Sequence, residues 1–223
     1  MAPARRTLVD RAVALLREEI LAGDAAPGSR VRIEEAAARL QMSQIPIREA
    51  LRCLSSEGLV LALPQRGFRV APLALDDFED LFRLRRTLDL HAVERAVPRL
   101  SAADLTRMDE ELARLGEAQR HRDWRAQRHH HQAFHFAIFE AGASPRLLAM
   151  LRMLWDQSER YLRLGEIHRR HPERVGAEHL VLLEACRRGD VDAVLAATAE
   201  HLELTRRTVV EVLTTPQEKE MSA

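Results

Sequence analysis

Histidine offers this chain its richest chemistry. Of ten histidines in 223 residues, three form the run His129-His130-His131, and His131 has another four residues on, His135. On a helix that spacing stacks both imidazoles on one face, in a stripe with Phe134 and Ile138, so the pair points inward while His129 and His130 lie to its side. Further on, His179 falls on the stripe Val175, His179, Leu182, Cys186, and His201 falls with Val194, Ala197 and Leu204. These four imidazoles can face a common interior. Taken singly, each is most plainly a hydrogen-bonded core histidine. As a set, burial without partners would be costly, whereas convergence on one divalent cation would satisfy them by coordination.

The elements that must hold these residues are helices. Periodicity and punctuation predict helices over Asp76–Pro98, Ala102–Arg122, Trp124–Ala141, Pro145–Arg169, Pro172–Arg188 and Val191–Leu213. Ser101, Ser144 and Asp190 stand as N-caps, Pro145 and Pro172 take first-turn positions where a missing N–H costs nothing, and Gly142 and Gly189 stand at C-terminal stops. The polar tail Thr215–Ala223 is predicted to fray. Aromatic residues are 4% of the chain, so the cores are aliphatic.

The first third is organised differently. A helix from about Thr7 to Ala22 closes at Gly23 and the Pro27-Gly28 turn. Then Ile33, Ala36, Ala37 and Leu40 mark a short helix that stops at Gln41-Met42, and Ser43 offers a hydroxyl to the unpaired N–H groups of the next helix. That helix, Ser43 to Glu57, buries Ile47, Ala50, Leu51 and Leu54 and leaves Gln44, Ile45, Arg48 and Arg52 outward. Gly58 ends it in the left-handed cap position, and Leu59–Leu63 and Phe68–Val70 read as two strands around Pro64-Gln65-Arg66-Gly67. Helix, turn, helix and hairpin in this order point to DNA. Exposed arginines alone would more plainly be a solvated face; Arg66-Gly67 at a hairpin tip beside the same helix reverses that preference.

The runs PGSRV (Pro27–Val31), SQIPIREAL (Ser43–Leu51), EGLV (Glu57–Val60) and PQRGFRV (Pro64–Val70) resemble the winged helix-turn-helix of the GntR family of bacterial transcription factors. The region opening with LDDFEDLFRLRRTLD (Leu75–Asp89) resembles the FCD effector domain of its FadR-type subfamily. The resemblance implies a mainly α protein. Residues 1–74 would form a winged helix-turn-helix of three helices and a small β-wing, and residues 75–223 an all-α antiparallel bundle that binds effector and dimerises. By the same resemblance Ser43, Gln44, Ile45, Pro46 and Arg48 approach major-groove bases or their phosphates, and Arg66 and Gly67 enter the minor groove; Arg52 joins the candidate DNA contacts by its outward place on the helix alone. Gln44 stands where many relatives have Arg, and Glu34 where FadR-like members contact DNA, so the operator differs from the common subfamily site.

Metal-binding FCD domains carry Asp-x-x-x-His on one helix and single histidines on two later ones. AFH (Ala133–His135), EHL (Glu178–Leu180) and EHL (Glu200–Leu202, with His201 at its centre) resemble those positions, with His131 in the aspartate's place. The implied site is either His135, His179 and His201 alone or these three with His131 as a fourth nitrogen, a set that favours zinc, nickel or a similar borderline ion. Arg85 resembles the FCD arginine that faces the effector cavity, with Arg163 a weaker candidate. The plainer reading of Arg85 is a surface pair with Asp89. A metal beside a guanidinium suits a small organic acid.

Bulk properties agree. The formal net charge is zero, but residues 1–74 hold 11 Arg against 8 acidic residues, net +3, leaving the remainder at net −3. This is a basic head on a non-DNA-binding body. No apolar run is long enough for a membrane, the N-terminus has no cleavable apolar leader, and a cytoplasmic location, on the nucleoid when DNA-bound, is expected. Cys53 and Cys186 fall in different predicted domains, so buried free thiols are expected rather than a disulfide.

Three function classes follow: a ligand-responsive transcriptional repressor working as a homodimer on double-stranded DNA, a metal-dependent enzyme, and a DNA-binding protein whose helical body and metal are purely structural. An enzyme would need a general base at the metal. Glu178 and Glu200 adjoin His179 and His201, but neighbours on a helix point about 100° apart, away from the ligand face.

Overall fold

In the computed structural model, residues 7–165 and 172–215 are described. The chain divides into two compact units, Met1–Leu73 and Ala74–Ala223. Nine α-helices and three short strands lie among the described residues.

In the first unit, α1 (Leu8–Leu21) opens with a capping box in which Thr7 and Asp10 satisfy each other's backbone N–H groups. Strand β1 (Arg30–Val31) leads to α2 (Ile33–Leu40) and α3 (Gln44–Ser56). Between these helices Gln41 takes a left-handed conformation, φ 53°, and the Met42 N–H returns to the Ala37 carbonyl. Strands β2 (Val60–Leu63) and β3 (Gly67–Val70) form the wing, and the antiparallel sheet has the order β1-β3-β2. One apolar stripe from each helix, including Leu16, Ala36, Ile47, Leu51 and Leu54, meets Phe68 and Val70 of the wing in a single core.

Two details depart from the sequence reading. Ser43 occupies the N-cap position with extended backbone but makes no side-chain capping bond. Strand β1 is absent from the sequence reading because two residues carry no alternation. Its existence rests on pairing with β3, where Arg30 faces Arg69 and Val31 faces Phe68.

In the second unit, α4 (Leu75–Ala96) runs into a single 3-10 turn, Val97–Arg99. Then come α5 (Ala102–Arg120), α6 (Trp124–Gly142), α7 (Pro145–Gly165), α8 (Pro172–Arg188) and α9 (Val191–Thr214). Local chemistry sets these boundaries: Ser101 and Asp104 form a capping box, while Asp123 and Asp190 accept from the N–H groups of Ala126 and Ala193. Gly189 ends α8 with φ 64°. The remainder of the helix expected to Arg169, and the tail beyond Thr215, lie outside the described residues. The core joins Val93 and Ala96 of α4, Met108 of α5, Phe134 and Ile138 of α6, Trp155 of α7 and Leu183 of α8. No helix among the described residues is long and apolar enough to cross a membrane.

Of the two thiols, Cys186 is buried but Cys53 is exposed, because the stripe Ile47, Ala50, Leu51, Leu54 turns the core face of α3 away from position 53.

Candidate metal centre and DNA-reading surface

The structure brings His131 and His135 of α6, His179 of α8 and His201 of α9 together, with one ring nitrogen from each lying within 4.8 Å of the others. The first three are buried and His201 is partly so. Hydrogen bonding assigns two of the tautomers. The His179 Nδ1 lies 2.6 Å from the Val175 carbonyl, which can only accept, so Nδ1 carries the proton and neutral His179 presents the Nε2 lone pair. The His201 Nδ1 lies 2.8 Å from the Glu178 Oε2, and the carboxylate turns that ring in the same way.

The Nε2 atoms of His135 and His179 lie 3.0 Å apart. A hydrogen bond between two core histidines has this length, and so, nearly, does the edge of a tetrahedral site with metal–nitrogen bonds of 2.0–2.1 Å, about 3.3 Å. Four imidazoles, two of them with Nδ1 held by an outer acceptor, form a donor set that fits a borderline divalent cation.

Around this cluster lie charges that the sequence assigned incompletely. Arg85 of α4 is not in a surface pair: it is 4% exposed, donates to the Ser158 hydroxyl at 2.7 Å and the Asp89 carboxylate at 3.0 Å, and lies 4.3 Å over the Trp155 ring. Burial raises the Asp89 pKa, with the Arg85 charge opposing it. On α7, Glu159 is wholly buried with an oxygen 3.9 Å from the His131 Nδ1. Desolvation pushes its pKa up to about 7, and Arg128 and Arg85 pull the other way.

A small cavity next to the histidines is lined by His131 and His201 together with Arg174, Glu178 and Thr205. Neither Arg85 nor Arg163 is among its lining residues. Arg163 is exposed, its guanidinium 5.6 Å from the Trp124 ring, so the structure does not join the two sequence candidates. Sequence reasoning missed Arg174 and Glu159, and it considered Glu178 only as a general base directed away from the ligand face. Glu178 points away from its neighbour His179, as helical spacing demands, and reaches His201 from α9 instead. The i,i+4 spacing of Arg174 and Glu178, whose charged groups lie 3.1 Å apart, was the one signal available.

In the first unit, Ser43, Gln44, Arg48 and Arg52 are exposed along one side of α3, and Ile45 is 75% exposed. Pro46 is buried, so it shapes the first turn of α3 and offers no surface to a groove. Arg52 is held 2.7 Å from Glu49, whereas Arg48 has no ion pair among the described residues. At the wing tip Arg66 is exposed and Gly67 has φ 83°, a conformation that disfavours any residue with a Cβ.

Residues 8–70 match the model of bacterial regulatory proteins of the gntR family, and residues 80–204 match the FCD domain. The chain is 32% identical over 204 residues to the HTH-type transcriptional regulator BphR of Paraburkholderia xenovorans, spanning 89% of this chain and 83% of BphR. The chain belongs to the GntR family, with an FCD domain. It is 30% identical over 153 residues to the HTH-type transcriptional repressor GlaR of Escherichia coli, 66% of this chain and 68% of GlaR. The solved structure of E. coli McbR/YncC superposes with a TM-score of 0.82 at 26% identity, covering 93% of this chain and 99% of that one. This GntR-family protein is therefore a DNA-binding transcriptional regulator and not an enzyme. All four histidines fall within the FCD match.

Proposed function

We propose that this regulator is a homodimeric repressor whose FCD domain holds one zinc or nickel ion on His131, His135, His179 and His201 and senses a small organic acid beside it. The convergence of four ring nitrogens carries the metal reading. Bound there, the ion would attract a carboxylate by its charge, and the adjoining cavity is lined by Thr205 and by Arg174, which is itself paired with Glu178. Arg85, already committed to Asp89 and Ser158, serves in this reading to hold α4 against α7 rather than to bind effector.

On the DNA side, Ser43, Gln44, Ile45 and Arg48 face the major groove, Arg52 reaches phosphate, and Arg66 and Gly67 enter the minor groove. Their exposure on α3 and the wing supports this assignment. Two copies are needed to place reading helices on successive major-groove faces of a pseudo-palindromic site. The name of GlaR, a repressor, favours repression over activation.

The test is a thermal-shift screen of metabolite acids against zinc-loaded protein, followed by operator titration at fixed salt. An effector must change operator affinity and must lose that effect in metal-free protein. A ligand that stabilises the protein and leaves operator affinity unchanged would remove the sensing role, because equal affinity for both states shifts nothing. A metal whose removal lowers stability alone would leave a purely structural site. For the reading head, Arg48→Ala should abolish specific binding with circular dichroism unchanged, and intact affinity would overturn the assignment of α3.

A further inference from the structure

Glu159 lies beside the histidine cluster without being one of its four members. It lies on α7, 0% exposed, and neither carboxylate oxygen has a hydrogen bond of normal geometry among the described residues. A carboxylate in that position costs several kcal/mol unless something compensates it. Arg85 is spent on Asp89 and Ser158. The imidazole nearest in the cluster is that of His131, with Nδ1 at 3.9 Å, beyond hydrogen-bond length.

Two of the other histidines show how such a ring is oriented. His179 has the Val175 carbonyl on its Nδ1 and His201 has the Glu178 carboxylate, and each acceptor turns an Nε2 lone pair into the cluster. Four neutral imidazoles also leave both charges of a divalent ion uncompensated. The charge of Glu178 is shared with Arg174, 3.1 Å away, so it offsets the ion only in part. Glu159, whose other polar neighbour is the Trp155 indole, is a wholly buried carboxylate beside the cluster, and one of its oxygens approaches the His131 Nδ1 to 3.9 Å.

We propose that Glu159 is a positioning residue for the metal centre: it accepts the Nδ1–H of His131, turns the Nε2 of that ring toward the ion, and supplies negative charge to the buried dication. Glu159 acts through His131 and is not itself a ligand. The assignment rests on the metal reading above. It also explains a wholly buried acid that a purely apolar interior would have no use for.

The test uses untagged full-length protein, with zinc affinity measured by competition against a chelating dye and thermal unfolding measured on metal-free samples. Glu159→Gln, which keeps the shape and removes the charge, should weaken zinc binding about tenfold, and Glu159→Leu, which removes the acceptor as well, about a hundredfold. Both should leave the metal-free unfolding midpoint unchanged or raised, since a carboxylate whose charged form burial disfavours has been removed. The visible spectrum of cobalt-loaded Glu159→Gln should keep the wild-type band shape.

Affinities within twofold of wild type would overturn the proposal while leaving the metal site standing. A falling metal-free midpoint with unchanged zinc affinity would make Glu159 a counter-charge for Arg128 and Arg85 instead. A changed cobalt spectrum would make it a ligand, which also overturns the positioning role. Wild-type protein that takes up no zinc would overturn the metal reading itself, and this inference with it.

Discussion

Gly142 of α6 and Ala96 of α4 meet so closely that a Cβ on the glycine would lie 2.5 Å from the Ala96 Cα and 2.6 Å from its N. Backbone atoms cannot yield as a side-chain tip can, so the absence of a side chain at position 142 sets how near these helices approach. The same helices carry Arg85 and Asp89 on one and His131 and His135 on the other. In an exposed helix, glycine to alanine would be stabilising by about 1 kcal/mol. Here Gly142→Ala should destabilise by about 1–3 kcal/mol in urea unfolding. A stabilised variant would show that the contact relaxes at no cost.

Metal content can be read directly. Untagged protein should carry close to one zinc or nickel per chain by elemental analysis, and His179→Ala should lose most of it. Free zinc at a thousand times its Kd should stabilise the wild type by about 4 kcal/mol and the variant far less. Absence of metal, with no uptake on adding either ion, would return the four residues to hydrogen-bonded core histidines.

Arg85 is a second quantitative case. Arg85→Met leaves Asp89 buried without its cation, which should cost about 3–5 kcal/mol. The double variant Arg85→Met/Asp89→Leu removes both charges and should recover much of that loss. If the single variant were no less stable than the wild type in chemical denaturation, the buried pair would have no structural role.

The two thiols should differ in reactivity. Burial pushes the Cys186 thiol up to about 12, so at pH 8 almost none of it is thiolate, whereas Cys53 stands exposed on α3. Iodoacetamide at pH 8 should therefore label native protein at Cys53 alone, as read by peptide mass, and both residues after denaturation. Since burial raises the Cys186 value, its labelling should rise with pH only near the upper end of the alkaline range. Equal labelling of both in native protein would contradict the packing of α8.

Helix boundaries were legible because the groups that set them are local. Ser101 and Asp104 close a capping box three residues apart, and Asp190 caps α9 from the adjacent position. The reading helix was legible for the same reason, since Ile47, Ala50, Leu51 and Leu54 declare one face and leave Gln44, Arg48 and Arg52 on the other. The hydroxyl of Ser43 was a local inference that failed, because the right residue with cap-like backbone still need not form the bond. Pro46 failed on orientation: the motif names a position, and the packing of the unit decides which way its ring faces.

What the sequence by itself determined was the fold class, the two-part organisation of its motifs and the inward face of each histidine, all of which follow from periods of two or 3.6 residues along one element. Whether faces on different elements meet is a separate matter. Spacing put His131 beside His135, but only the packing of α6, α8 and α9 brings His135 within 3.0 Å of His179 and gives His201 to Glu178. Arg85 and Asp89 have the same i,i+4 spacing in water or in a core, so the tertiary structure alone decided that the pair is buried on Trp155 and Ser158. It likewise left Arg163 outside and drew in Glu159 from α7, because burial depends on which surface a neighbouring helix covers, and no residue's own sequence context records that.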